Sequence, residues 1–185
     1  MTMSFRERRA AMVMFIRPHA VSLVSVKGKD GGNIFPMNLM GDLGDAFVGF
    51  ALREDRRAAH LVEAAGRIAV SSLPFSEAPL AYKLAGNHTK DFIEWDKLPF
   101  STIESTMFRI RVPVFAKRVR ELEVEKVQPI GSHTFFVARV VNDVVLSDVP
   151  GLSVIHGFYQ CWRMRGKGVA LGASLREDVQ AKRGG

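Results

Sequence analysis

Apolar residues along this chain come in short blocks whose internal period is nearer two than 3.6, and Gly-, Asn- and Asp-rich turns separate the blocks. Residues 20–26 (Ala-Val-Ser-Leu-Val-Ser-Val) predict a strand that ends at a hairpin turn over 27–32. Residues 33–40 follow, with a second turn over 41–45 and a third apolar strand over 46–52. Residues 53–65 read as a short helix with Asp55 as N-cap, Leu61, Val62 and Ala65 facing the core, and Gly66 as the stop. A strand over 67–73 and a helix over 76–85 come next, with Pro79 in its first turn and Gly86-Asn87 at its end. In 107–112, Phe108, Ile110 and Val112 alternate with outward Arg109 and Arg111. In 119–127, Leu122 and Val124 oppose Glu121, Glu123 and Glu125. Residues 134–141 are apolar on both faces, as in a strand covered on both sides. Asn142-Asp143 predicts a turn into 144–146, and 154–162 is a last apolar, aromatic strand. Roughly eight or nine strands and two helices predict a mainly β chain, a closed or partly closed antiparallel barrel with helices packed outside it.

One segment departs from the alternation. Asn33-Ile34-Phe35-Pro36-Met37-Asn38-Leu39-Met40-Gly41 mixes large apolar residues with two asparagines and a proline. It fits a core strand with an irregular start. It also fits a ligand-facing strand and loop, in which backbone N–H groups and asparagine amides meet a polar ring edge while Phe35 and Met37 give flat apolar contact. Taken alone, these nine residues favour the core strand.

The chain has 185 residues, 47% hydrophobic and 24% charged, which fits one globular domain over 1–185 with a core at about 15–162 and a polar tail. No stretch approaches the ~20 apolar residues that span a bilayer, and the apolar run 10–16 leads into Arg17-Pro18 without a cleavage site, so neither a membrane segment nor a secretory signal is expected. Cys161 is the only cysteine, which excludes an intrachain disulfide, suits a reducing cytoplasm, and reads as a core residue. The net charge of +7 suits phosphorylated ligands, but the basic residues are dispersed and the aromatics sit at apparent core positions, so a nucleic-acid interface is not favoured.

The phosphate loop, the zincin spacing, the nucleophile elbow and the dinucleotide fingerprint are all missing. The five histidines are scattered, so no metal site is expected. Two constellations remain. His88-Thr89-Lys90, just past a predicted helix end, reads equally as a phosphate grip or as a hydrophilic loop. Ser132-His133 stands at the mouth of a buried strand, where His133 either edges a pocket or caps the barrel end by a bond to backbone.

Gly131-Ser132-His133-Thr134-Phe135-Phe136-Val137 resembles the Gly-Asp-His-x-Leu-Phe-x-Gly-x-Val strand of the flavin reductase-like, FMN-binding split-barrel family, with Ser132 in place of the usual Asp and Ala138 where Gly is common. The order of the Val-Ser-Leu-Val-Ser-Val strand, the Val-Ser-Ser-Leu-Pro strand and a Lys90-Asp91-Phe92 loop agrees over roughly 15–162. The resemblance implies a Greek-key antiparallel split barrel with a few peripheral helices, homodimeric, with flavin near the subunit interface. It places Phe35, Pro36, Met37, Asn38 and Leu39 in the flavin-contacting segment, with fewer hydroxyls than the family carries. Ser71, Ser72 and Leu73 would lie beside the ring or ribityl chain, and His88, Thr89 and Lys90 near the phosphate. His133 would lie near the ring, and His156-Gly157-Phe158-Tyr159 would close the site, with Tyr159 as a contact. The implied activity is a flavin reductase in which NAD(P)H passes hydride to FMN, or alternatively FAD, with no catalytic acid–base pair required. The alternative is an electron carrier of the same fold, or one acting on another substrate.

Overall fold

The computed structural model describes residues 19–155, 158–165 and 168–174, with side chains given for 19–153. The expected lead-in, the polar tail, His156, Gly157 and the side chains of Phe158, Tyr159 and Cys161 lie outside the described residues. Strands β1 (His19–Ala20), β2 (Ser22–Lys27), β3 (Gly32–Met37), β4 (Met40–Gly44) and β5 (Phe47–Arg53) come first. Helix α1 (Arg57–Ala65), β6 (Arg67–Ser72) and helix α2 (Ala78–Lys83) follow. A 3-10 turn, Ala85–Thr89, leads through a long connection to β7 (Thr102–Glu104) and β8 (Arg111–Pro113). Then come β9 (Arg118–Ile130), β10 (His133–Val145), β11 (Leu152–Ile155), β12 (Phe158–Arg165) and β13 (Gly168–Ser174).

The fold is mainly β, and its seven-stranded sheet runs β3-β2-β6-β9-β10-β5-β4 with antiparallel neighbours throughout. Its two edges, β3 and β4, are consecutive in the chain and joined only by Asn38 and Leu39. Laid flat, seven strands would hold their edges about 29 Å apart. Three residue steps from Met37 to Met40 reach about 11 Å at most. The sheet must therefore curl until its edges converge at the end where Asn38 and Leu39 lie.

The curl encloses one core. Val24, Val26, Phe35, Val48, Phe50, Ile68, Val70, Leu122 and Phe136 are at most 1% exposed there, and Ala58, Ala59 and Val62 of α1 plug it. Phe50 and Phe136 face each other across β5 and β10 with centroids 4.9 Å apart. Burying each such ring contributes about 2–3 kcal/mol. The other face of β2 carries Leu23, which packs with Ile34, Leu73 and the α2 residues Ala78, Leu80 and Ala81. Being covered on both sides, β2 is buried from Ser22 to Val26 and shows no alternation. Gly32 is required by close approach, since a Cβ there would stand 2.6 Å from the Val26 carbonyl oxygen and 3.0 Å from Trp95.

Several expectations are corrected. The turn expected over 41–45 is strand β4, and the chain reverses at Asp45-Ala46, both with positive φ. Helix α1 starts at Arg57, not near 53, and Asp55 does not cap it: both its carboxylate oxygens accept from Arg53, at 2.9 and 2.6 Å, and the cap position is Arg56. Gly66, at φ 64°, does end that helix. The second helix is a 3-10 turn, a short α-helix and another 3-10 turn in series. Of residues 107–112, Met107 and Phe108 belong to a turn, Arg109 stands at φ 54°, and strand begins only at Arg111–Pro113. Asn142 and Asp143 continue β10, because their side chains bond Glu121 and Arg118 of β9. Glu121, expected outside, is 0% exposed.

Candidate functional site

A cleft of about 360 Å³ opens where the sheet edges converge. It is lined by the joining segment Pro36, Met37, Asn38 and Leu39, by Ala51, Leu52, Arg53 and Arg56 with His133 beside them on β10, and by Ala85 and His88. The β5–β10 register places Arg53 directly opposite His133. The Glu54 N–H bonds the Ser132 carbonyl at 3.1 Å, so the start of the β5-to-α1 connection is tied to the hairpin turn that carries His133. Arg56 occupies the N-cap position of α1 without a side-chain cap, and the helix's first turn holds no acidic residue. Free N–H groups at a helix start, with two guanidinium groups beside them, form a ready anion site. Asn38 and Leu39 are exposed, Leu39 by 50%, giving an amide and an apolar surface on the floor.

Wider depressions exist. One of about 690 Å³ lies among Lys27, Lys29, Arg67, Met107 and Phe108, and one of about 780 Å³ around Trp95 and Arg111. Neither holds any site residue predicted from sequence, and neither has the start of an α-helix among its lining residues. Size is outweighed by convergent polar groups on a preformed floor.

His88 is held structurally. Its Nε2–H donates to the Pro36 carbonyl at 2.8 Å, and its ring lies 4.7 Å from the Phe35 ring. Burial holds its pKa below the ordinary histidine value, partly offset by the Pro36 bond, and the charge of Arg56 adds to the lowering. A neutral imidazole results, suited to fixing the cleft floor rather than to gripping phosphate. Asn33 and Asn87 complete that fixing. Asn33 Nδ2 donates to the Asn87 and Lys90 carbonyls at 3.0 and 2.8 Å, and Asn87 Nδ2 donates to the Ile34 carbonyl at 2.8 Å. His133 edges the cleft, with the Ser132 hydroxyl 3.1 Å from its Nδ1.

The structure thus brings Pro36, Met37, Asn38, Leu39, His88 and His133 together. It does not bring the others. Phe35, Ser71 and Leu73 are at most 1% exposed, inside the sheet core or beneath the packing on its outer face, and Ser72 is on the same strand end. Thr89 turns its hydroxyl to the Gly86 carbonyl, and Lys90 lines a separate depression with Phe92 and Lys97. Tyr159 lies outside the described side chains. Arg53 and Arg56 were missed. Their signal was present as the basic run Arg53-Glu54-Asp55-Arg56-Arg57 between a strand and a helix, which reads as dispersed surface charge until the helix start is located.

The class these features define is a mainly β protein, a curled antiparallel sheet with a cleft lined by Arg53, Arg56 and Asn38 where its edges converge. The model of the flavin reductase like domain matches residues 14–160, and the chain belongs to that family. No curated protein sequence matches it. Among solved structures, the chain is similar to the NADH:FAD oxidoreductase SgcE6 of Streptomyces globisporus (17% identity, TM-score 0.72, covering 86% of this chain and 95% of that one). It is also similar to BorF, the flavin reductase component of a bacterial two-component tryptophan halogenase (17%, 0.75, 88% and 100%). A third is an FMN-binding protein from Thermus thermophilus with bound p-hydroxybenzaldehyde (22%, 0.68, 80% and 87%). These likenesses establish the fold. No described helix is long and apolar enough to cross a membrane.

Proposed function

We propose that this protein is a flavin reductase that binds FMN in the cleft between Pro36–Leu39 and the start of α1 and uses NAD(P)H as hydride donor. The observation that carries the reading is the convergence of Arg53, Arg56 and an uncapped helix start on that cleft. Arg53, Arg56 and the first N–H groups of α1 would hold the phosphate. The Asn38 amide would meet a polar ring edge, Leu39 would give apolar contact, and His133 would stand at the rim. When bound, the flavin supplies the redox chemistry by accepting hydride. The chain's own part is to bind, orient and shield, so the lack of a catalytic dyad is consistent with an enzyme. In this reading the curled sheet is a split barrel, and the protein works as a cytoplasmic homodimer.

The test is NAD(P)H oxidation with added FMN, and with FAD in parallel. Turnover above the free-flavin background is expected, and Arg53→Gln with Arg56→Gln should raise the FMN KM tenfold or more, on the order of one or two charge-assisted bonds, while sparing riboflavin. Absence of turnover with either flavin overturns the reductase reading. FMN retained through desalting without turnover would indicate an electron carrier.

A further inference from the structure

Asp55 sits between the two cleft arginines and engages both. Its carboxylate takes Arg53 in a bidentate pair, Nε to Oδ1 at 2.9 Å and the terminal nitrogen to Oδ2 at 2.6 Å, and Arg56 Nε lies 3.6 Å from Oδ1. Asp55 is itself more than half exposed and does not line the cleft. A carboxylate on the Nε edge of a guanidinium takes two of its five N–H groups and one of the edges on which a phosphate can seat. Neither arginine has another acidic side chain as a partner among the described residues. Arg57, the next residue, is turned to Asp91 at 3.6 Å and adds no charge to the cleft lining.

We propose that Asp55 is an internal competitor for the anion site, a specificity-determining residue that weakens the cleft's grip on the phosphate of its ligand and so keeps that ligand exchangeable. The proposal rests on the flavin reading above for its ligand but not for its mechanism. An arriving phosphate either displaces the carboxylate from the Nε edge of Arg53 or takes the remaining guanidinium N–H groups while facing its negative charge. Two guanidinium groups with one carboxylate leave a net charge of +1 at the site instead of +2. The competition acts on the phosphate alone, because Asp55 touches nothing on the apolar floor. Being an exposed pair, its effect is modest and screened by salt.

The test is Asp55→Asn, which keeps the size and one acceptor oxygen while removing the charge. Binding of FMN and of riboflavin is titrated in the wild-type protein and the variant at low and high salt. Inorganic phosphate is titrated in parallel against the arginine Nε–H signals of Arg53 and Arg56 by NMR. The expected result is that D55N binds FMN and inorganic phosphate about two- to fivefold more tightly, the size of an exposed ion pair, with riboflavin unchanged and the gain shrinking in high salt. Unchanged or weaker phosphate and FMN binding in D55N overturns the proposal and makes Asp55 an organiser of Arg53. Should neither flavin bind either protein, the flavin reading fails, and the phosphate titration still decides the role of Asp55.

Discussion

Glu121 is a carboxylate with no exposed surface, yet it is fully engaged. It accepts from the Ser105 hydroxyl at 2.6 Å, the Phe108 and Met107 N–H groups at 2.7 and 3.0 Å, and Asn142 Nδ2 at 2.7 Å. Burial works to raise its pKa, but the bonds from Ser105, Phe108, Asn142 and Met107 together outweigh burial and hold it below the ordinary glutamate value. It clamps the turn in which Arg109 adopts a positive φ. A depressed folded pKa means stability present above the unfolded glutamate value, about 4.3, and lost as pH falls through the folded one. Glu121→Gln should cost about 2–3 kcal/mol at neutral pH and flatten the acid limb of the stability curve, measured by urea melts across pH. His88 also has a depressed pKa, from burial first. The unfolded chain therefore takes up its proton first as pH falls below about 6.5, and stability declines until the folded value is passed. In His88→Gln that part of the slope should vanish from thermal melts, although the Pro36 bond can still be made. From the sequence, Glu121 reads as one of three outward glutamates, because alternation marks a face and not what covers it.

At the level of elements, the sequence shows most strands and the stop of α1, but not its start. An aspartate just before the apolar-periodic residues favours Asp55 as N-cap, whereas Arg53, two residues away, pairs with that carboxylate. The cap position falls to Arg56, a poor capping residue placed where an anion would sit. In the proposed reading, local stability is given up at a place where phosphate binding gains. Arg56→Ser should therefore stabilise the protein by about 0.5–1 kcal/mol through a new cap, while weakening FMN relative to riboflavin. Calorimetry and flavin titration on one sample check both halves. Thr102–Glu104 gives no strand signal in the sequence, because its pairing with Arg111–Pro113 is held through the intervening turn by the long-range bonds of Glu121.

For the whole molecule, the decisive feature is that the sheet's two edges are joined by Asn38 and Leu39 alone. That short tether forces the curl and creates the cleft at the same point. Inserting two glycines after Asn38 should cost less than about 1 kcal/mol in stability, since loop entropy grows slowly with length. It should nonetheless lower FMN affinity tenfold or more, because the floor would no longer be held against Arg53 and His133. Unfolding and binding curves of the insertion variant separate the two effects. Binding as tight as wild type would show that the tether is not what forms the site.

The sequence by itself determined the mainly β class, most of its strands and the irregularity of the segment Pro36–Leu39 that joins β3 to β4. Period-two patterning and turn chemistry are local properties that survive without tertiary context. Only the tertiary structure decided that Phe35, Ser71 and Leu73 are buried, that His88 latches the cleft floor, and that Arg53 and Arg56 face the cleft. Those outcomes depend on which strands become neighbours and where a helix begins. Both are set by long-range pairing and by competition for single carboxylates, which spacing along the chain does not encode.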